Sequence, residues 1–105
     1  MDGTADHALS LVARERLARV EIAQSKPDAA LATLAAVEPG SFAARFHEVR
    51  AEAYAAKNDS ASALKEYRAA RAADTNGTLD PQSLDLQIND LVADEPPPPA
   101  VTGTK

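Results

Sequence analysis

The sequence predicts an all-α fold in which two helical hairpins stand in tandem and a C-terminal helix caps them. Three observations carry that expectation. Alanine supplies 24 of the 105 residues, whereas Val and Ile together number eight and aromatics make up 4%. Strand formers are therefore too scarce for a β protein, and alanine at this density favours helices that approach one another closely. Apolar residues recur at spacings of three and four in five successive segments, each separated from the next by turn or N-cap residues. Finally, the second pair of segments repeats the first at one constant offset of 33 residues.

Each element follows in order. Leu9, Ala13, Leu17 and Val20 mark one face of a first helix, from about Asp6 to Gln24. Ser25 with Asp28 three residues on reads as a capping-box variant, and Pro27 stands in the first turn, where its missing N–H does no harm. The second helix runs from about Pro27 to Val37 with the stripe Ala30, Leu31, Leu34 and Val37, and Pro39-Gly40 ends it. Ser41 is the expected cap of a third helix with the stripe Phe42, Phe46, Val49 and Ala53, which reaches about Lys57. Asn58-Asp59-Ser60 restarts the chain with Asp59 or Ser60 as N-cap, and the fourth helix carries Ala63, Leu64, Tyr67 and Ala70 to about Ala73. Asn76-Gly77 is a turn dipeptide, and Asp80-Pro81 is an N-cap followed by proline at the first helical position. The fifth helix, about 81–93, has one apolar face made of Leu84, Ile88 and Leu91. Residues 1–5 are expected to be a disordered start, 6–93 the helical domain, and 94–105 a Pro-rich disordered tail.

The offset of 33 sets Ala18 over Ala51, Ser25 over Asn58, Ala30 over Ala63, Leu31 over Leu64 and Leu34 over Tyr67. Repeats are thus placed at about 11–43 and 44–77, with the capping helix after them. Paired helices at a period of 33–34 are the mark of a helical solenoid. In the second unit, Ala51, Tyr54, Asn58-Asp59, Ala63, Tyr67 and Ala70 resemble the tetratricopeptide repeat (TPR) pattern of small, aromatic, turn, Ala, aromatic and Ala. Alanine is required at 51 and 63 because two helices cross there, and a larger side chain would hold their backbones apart. Ser25 and Asn58 stand where that pattern has glycine, and serine adopts a left-handed backbone less readily than asparagine.

Over Leu17 to Leu91 the order of features is similar to the C-terminal half of the YfgM-like family of ancillary SecYEG translocon subunits. The resemblance is carried by Leu17-Ala18-Arg19-Val20, Ala23-Gln24, Lys26, Asp28, Ala30-Leu31, Phe42, Glu48, Arg50, Ala53-Tyr54, Ala56-Lys57, Asp59, Ala63, Tyr67, Ala70 and Asp90-Leu91. It departs from the family at Ser25, Ala51 and Asn58, where glycine is frequent. The resemblance implies a periplasmic TPR-like domain of a bacterial inner-membrane protein, whose partners are the SecYEG translocon and the periplasmic chaperone PpiD. It also implies an anchor helix upstream of the sequence given, and places this part on the periplasmic face of the inner membrane. The alternative expectation is a generic cytosolic TPR scaffold or secretion chaperone.

Charge and composition narrow the function classes. With 11 Lys and Arg against 16 Asp and Glu the net charge is −5, which repels phosphates and makes nucleic acid and anionic lipid poor partners. No stretch approaches the ~20 apolar residues of a membrane span, so insertion of this chain itself is not expected. The absence of cysteine excludes disulfides and thiolate chemistry. His7 and His47 lack a partner at a metal-ligand spacing and read as surface residues, and neither a phosphate loop nor a nucleophile elbow is present. No enzymatic activity, cofactor or metal is expected.

What remains is a protein-interaction module. In TPR arrays the first helix of each pair lines a concave groove, which here selects Glu15, Arg19 and Ile22 on the first helix, and Arg45, Glu48 and Glu52, with Ala55, on the third. Glu48 and Glu52 are like charges one turn apart, a small cost unless Arg19 or a basic partner lies between them. The lysine and asparagine clamp with which some TPR cochaperones hold a C-terminal carboxylate is missing, since Glu15 takes its first position. Two repeats are fewer than a solenoid normally needs, so apolar surface on the first helix is expected to remain open, with a homodimer through that helix as one way to cover it.

Overall fold

The computed structural model describes residues 3–75 and 77–94. Five α-helices follow one another: α1 (Gly3–Ala23), α2 (Pro27–Ala35), α3 (Ala43–Ala56), α4 (Ser60–Ala73) and α5 (Pro81–Asp94), with a 3₁₀ turn at Gly40–Phe42 before α3. No strand occurs among the described residues, and no helix there is long and apolar enough to cross a membrane. α1 pairs with α2, α3 with α4, and α5 lies on α4; α3 also touches α1 and α2. The result is the expected pair of hairpins with a capping helix.

The two hairpin turns share one backbone solution, 33 residues apart. Ser25 and Asn58 have φ of 65° and 63°. Lys26 N–H donates to Glu21 O at 2.8 Å and Ser25 N–H to Ile22 O at 2.9 Å; one period later Asp59 N–H donates to Tyr54 O at 2.9 Å and Asn58 N–H to Ala55 O at 3.0 Å. This paired set is a Schellman motif, which satisfies carbonyls at the end of a helix through one left-handed residue. Ser25 therefore ends α1 and does not cap α2, whose N-cap position falls to Lys26 without a side-chain hydrogen bond. Nor does Ser41 cap α3: the 3₁₀ turn moves the N-cap to Phe42. Asp59 does cap α4, accepting from Ser62 N–H at 3.2 Å.

Several boundaries differ, and α1 and α3 each end one residue early, at Ala23 and Ala56. α1 begins at Gly3, so residues 3–5 are helical and not part of a disordered start. α2 stops at Ala35, two residues before Val37, and α5 continues one residue past Ala93 to Asp94. Residues 1–2 and the remainder of the tail, 95–105, lie outside the described residues, as does Asn76.

Two apolar clusters hold the hairpins, and α3 serves both. Phe46, Val49 and Ala53 join Leu11, Ala18, Ala30 and Leu34, with Ile22, Leu31, Val37 and Phe42 half-buried against them. On its other flank, Ala44 and Ala51 join Ala63, Leu64, Tyr67, Ala70, Leu79, Leu84, Ile88 and Leu91. Ala18, Ala30, Ala51 and Ala63 are all fully buried, as helix crossings require when only a methyl group fits between backbones. The apolar stripe of α1 behaves differently. Leu9 is 68% exposed, Leu17 and Val20 are each 49% exposed, and the helix buries Leu11 and Ala18 instead. Both neighbours of α1 pack on that side, and no described helix precedes it to cover the other.

Candidate functional site

Between its two buried flanks α3 leaves one strip free, which holds Arg45, Glu48 and Glu52. The corresponding strip of α1 lies beside it. The two helices run parallel, since each is antiparallel to the helix between them, so the strips meet in ascending register. Arg19 stands at the meeting point. Its Nε donates to Glu15 Oε2 at 3.3 Å, its Nη1 to Glu52 at 3.1 and 3.2 Å, and its Nη2 to Glu48 Oε1 at 3.3 Å. Arg45 approaches Glu15 from the other side at 4.0 Å. The like charges of Glu48 and Glu52 are thus separated by a guanidinium of the neighbouring repeat, and the face carries three carboxylates and two guanidiniums.

Burial sharpens these interactions. Glu15 is only 8% exposed, a position a carboxylate holds only when paired. Burial works against the Arg19 charge, but Glu52, then Glu15 and Glu48, outweigh it and raise the guanidinium above its usual value. Burial also lifts the Glu52 carboxyl above the ordinary range; Arg19 pulls it part of the way back and Glu48 adds to the rise. Tyr67 of α4 is pushed up to about 12, first by burial and then by Glu52 and Glu48. The cluster therefore sits in a partly dry seam in which each charge depends on the others.

Between the middle of α1 and the N-terminal end of α3 the seam opens into a concavity of about 400 Å³, lined by Val12, Glu15, Arg16, Phe42 and Arg45. A second hollow, lined by Ser41, Phe42, Arg45 and Thr78, continues it toward the α4–α5 loop. That loop is held by Asp74, which accepts hydrogen bonds from Thr78 N–H and Oγ1, both at 2.8 Å, and from Leu79 N–H at 3.0 Å. An apolar floor of Val12 and Phe42 between arginines can receive a side chain of a docked segment, whereas Arg19 is already engaged.

The structure brings together Glu15, Arg19, Arg45, Glu48 and Glu52. Ile22 is different: it packs against the first apolar cluster and belongs to the hairpin core. Val12, Arg16, Ser41, Phe42 and Thr78 line the hollows although the sequence does not mark them as groove residues. Val12 was within reach, because the offset of 33 makes it the counterpart of Arg45; Phe42 was read only as a core residue, and Thr78 is placed by the loop. His47, read as a surface residue, is half-buried with Nδ1 2.7 Å from Glu66 Oε1 across the α3–α4 contact. Glu66 is accordingly part of a hairpin contact, while Lys65 beside it is exposed.

A family model described as a tetratricopeptide repeat-like domain matches residues 1–93 of the chain. No curated protein and no solved structure matches it.

Proposed function

The chain belongs to the family of tetratricopeptide repeat-like domains, and from that premise we propose that it is a non-catalytic protein-interaction module that receives an extended partner segment on the face shared by α1 and α3. The observation that supports this reading most directly is the continuous hollow along Val12, Phe42 and Arg45, set beside charges that are already paired within the molecule. A segment docking there meets a shaped apolar floor and need not break the Arg19 cluster. By the residues that resemble the YfgM-like family, from Leu17-Ala18-Arg19-Val20 to Asp90-Leu91, the module acts at the periplasmic face of a bacterial inner membrane, and its partners are the SecYEG translocon and the chaperone PpiD.

Site-specific photo-crosslinking tests both levels. A photoreactive amino acid at Arg45 or Val12 is expected to capture partner protein, and the same group at Lys65, exposed on α4, is not. Equal capture from both sets removes the α1–α3 face from the reading. Capture from Arg45 of proteins other than translocon or chaperone retains the module and removes its assignment to secretion.

A further inference from the structure

We propose that the open apolar face of α1 takes a second copy of this chain in an antiparallel helix pair that crosses at Ala13. Leu9, Ala13, Leu17 and Val20 form one stripe on the side of α1 opposite Leu11 and Ala18, and the three larger ones are half to two-thirds exposed. The repeat shows what such a stripe is built for. One period on, Leu9, Ala13 and Val20 correspond to Phe42, Phe46 and Ala53, which pack against the preceding hairpin, while Leu17 is an added apolar residue where the second repeat has Arg50. The α1 stripe is the same docking position, with no described residue on it.

The spacing selects the occupant. Leu9 and Leu17 stand four residues to either side of Ala13, so a copy rotated by two-fold symmetry puts Ala13 on Ala13 and each Leu9 against the other copy's Leu17. The same patch serves both partners, and the contact closes at two copies. A methyl group at the crossing lets the backbones approach closely. At the two ends of the stripe Val20 faces Asp6, and along its edge Arg16 faces Ser10, so no like charges meet although the whole chain carries −5. Four side chains cover less than the ~800 Å² per partner of a standard stable interface, so the pair is weak and reversible. Arg16 also lines the concavity with Phe42 and Arg45, so pairing sets the grooves of two copies side by side.

Sedimentation equilibrium of the full chain tests the pairing. A monomer–dimer equilibrium with a dissociation constant of about 10–500 µM is expected, the range of a small reversible interface. Leu17→Glu should weaken it by about tenfold or more, since a charge then opposes the other copy's Leu9 one turn from the crossing, twice in each pair. The melting point should hold, because Leu17 touches neither apolar cluster. The chain has no cysteine, so Ala13→Cys introduces one thiol per copy. Mild oxidation should link two copies through it, since the crossing brings Cβ atoms within disulfide reach, and do so well before Ala61→Cys, an exposed control on α4. A strictly monomeric chain at millimolar concentration, an unaltered equilibrium in Leu17→Glu, or equal rates for the two cysteine variants overturns the proposal.

Discussion

Arg19 and Glu52 occupy the same position in successive repeats, 33 residues apart, and pair at 3.1 Å. The repeat is thus kept in backbone and alanine positions while the charge at this site is inverted, which turns a repulsion between units into an attraction. Arg19→Met should destabilise the chain by about 1–2 kcal/mol. That figure allows for solvent screening, because the Arg19 side chain is 39% exposed. Arg19→Glu should cost more, by gathering four carboxylates in the seam. Urea denaturation with Glu48→Gln and Glu52→Gln in a double-mutant cycle measures the coupling.

The same cluster predicts a pH dependence. The Glu52 carboxyl is raised in the folded state, so the folded chain holds that proton more tightly than the unfolded chain does. Its ionisation opposes folding, and this contribution is lost as pH falls from above the raised value toward the unfolded carboxylate value. Arg19→Met removes the cation that limits the rise. The variant should therefore regain stability on acidification from neutral pH sooner and to a greater extent than the parent, in thermal melts followed across the series.

Overpacking tests the helix crossings. Ala51 and Ala63 have no exposed surface, and Leu at either should destabilise by roughly 1–3 kcal/mol. Chemical denaturation midpoints equal to that of the parent would contradict the close approach of α3 and α4.

The two left-handed residues should respond unequally to glycine. Ser25→Gly should stabilise by about 0.5–1 kcal/mol, because serine is strained at φ 65°. Asn58→Gly should change stability by less than about 0.5 kcal/mol, since asparagine tolerates that conformation and glycine gains entropy when unfolded. Thermal denaturation of the two variants compares them directly.

Asp74 should act as the latch of the α4–α5 loop. The Leu79 amide, then the Thr78 hydroxyl, hold its carboxyl below the usual range. That contribution is present above the unfolded carboxylate value and is lost as pH falls through the lowered one. Asp74→Ala should speed hydrogen exchange at Leu79 and in the first turn of α5, leaving the exchange of α1 and α2 unchanged.

Local rules made the helices and their order legible in the sequence. Spacings of three and four gave five helices, and proline or aspartate at the starts of α2, α4 and α5 placed those starts correctly. The offset of 33 located the alanine crossings and set Ser25 over Asn58, because residues at one repeat position face the same neighbours; that both turns take one left-handed form is seen only in the structure. The rule that the first helix of each pair lines a groove selected Glu15, Arg19, Arg45, Glu48 and Glu52, which do share one surface. Caps were less legible: Ser25 and Ser41 have the right chemistry for an N-cap, but the chain spends the first on a left-handed helix end and the second on a 3₁₀ turn.

Tertiary packing alone decided which apolar stripe of α1 is buried, since that helix is apolar on two sides and its neighbours lie on only one. It decided that Ile22 is core, that His47 meets Glu66, and that Arg19 is held by three carboxylates from two repeats. A sequence specifies which residues share a helix face. Which face meets another, and which charges are brought within 4 Å across it, depends on the angle and register at which whole helices pack, and these are set by every contact at once.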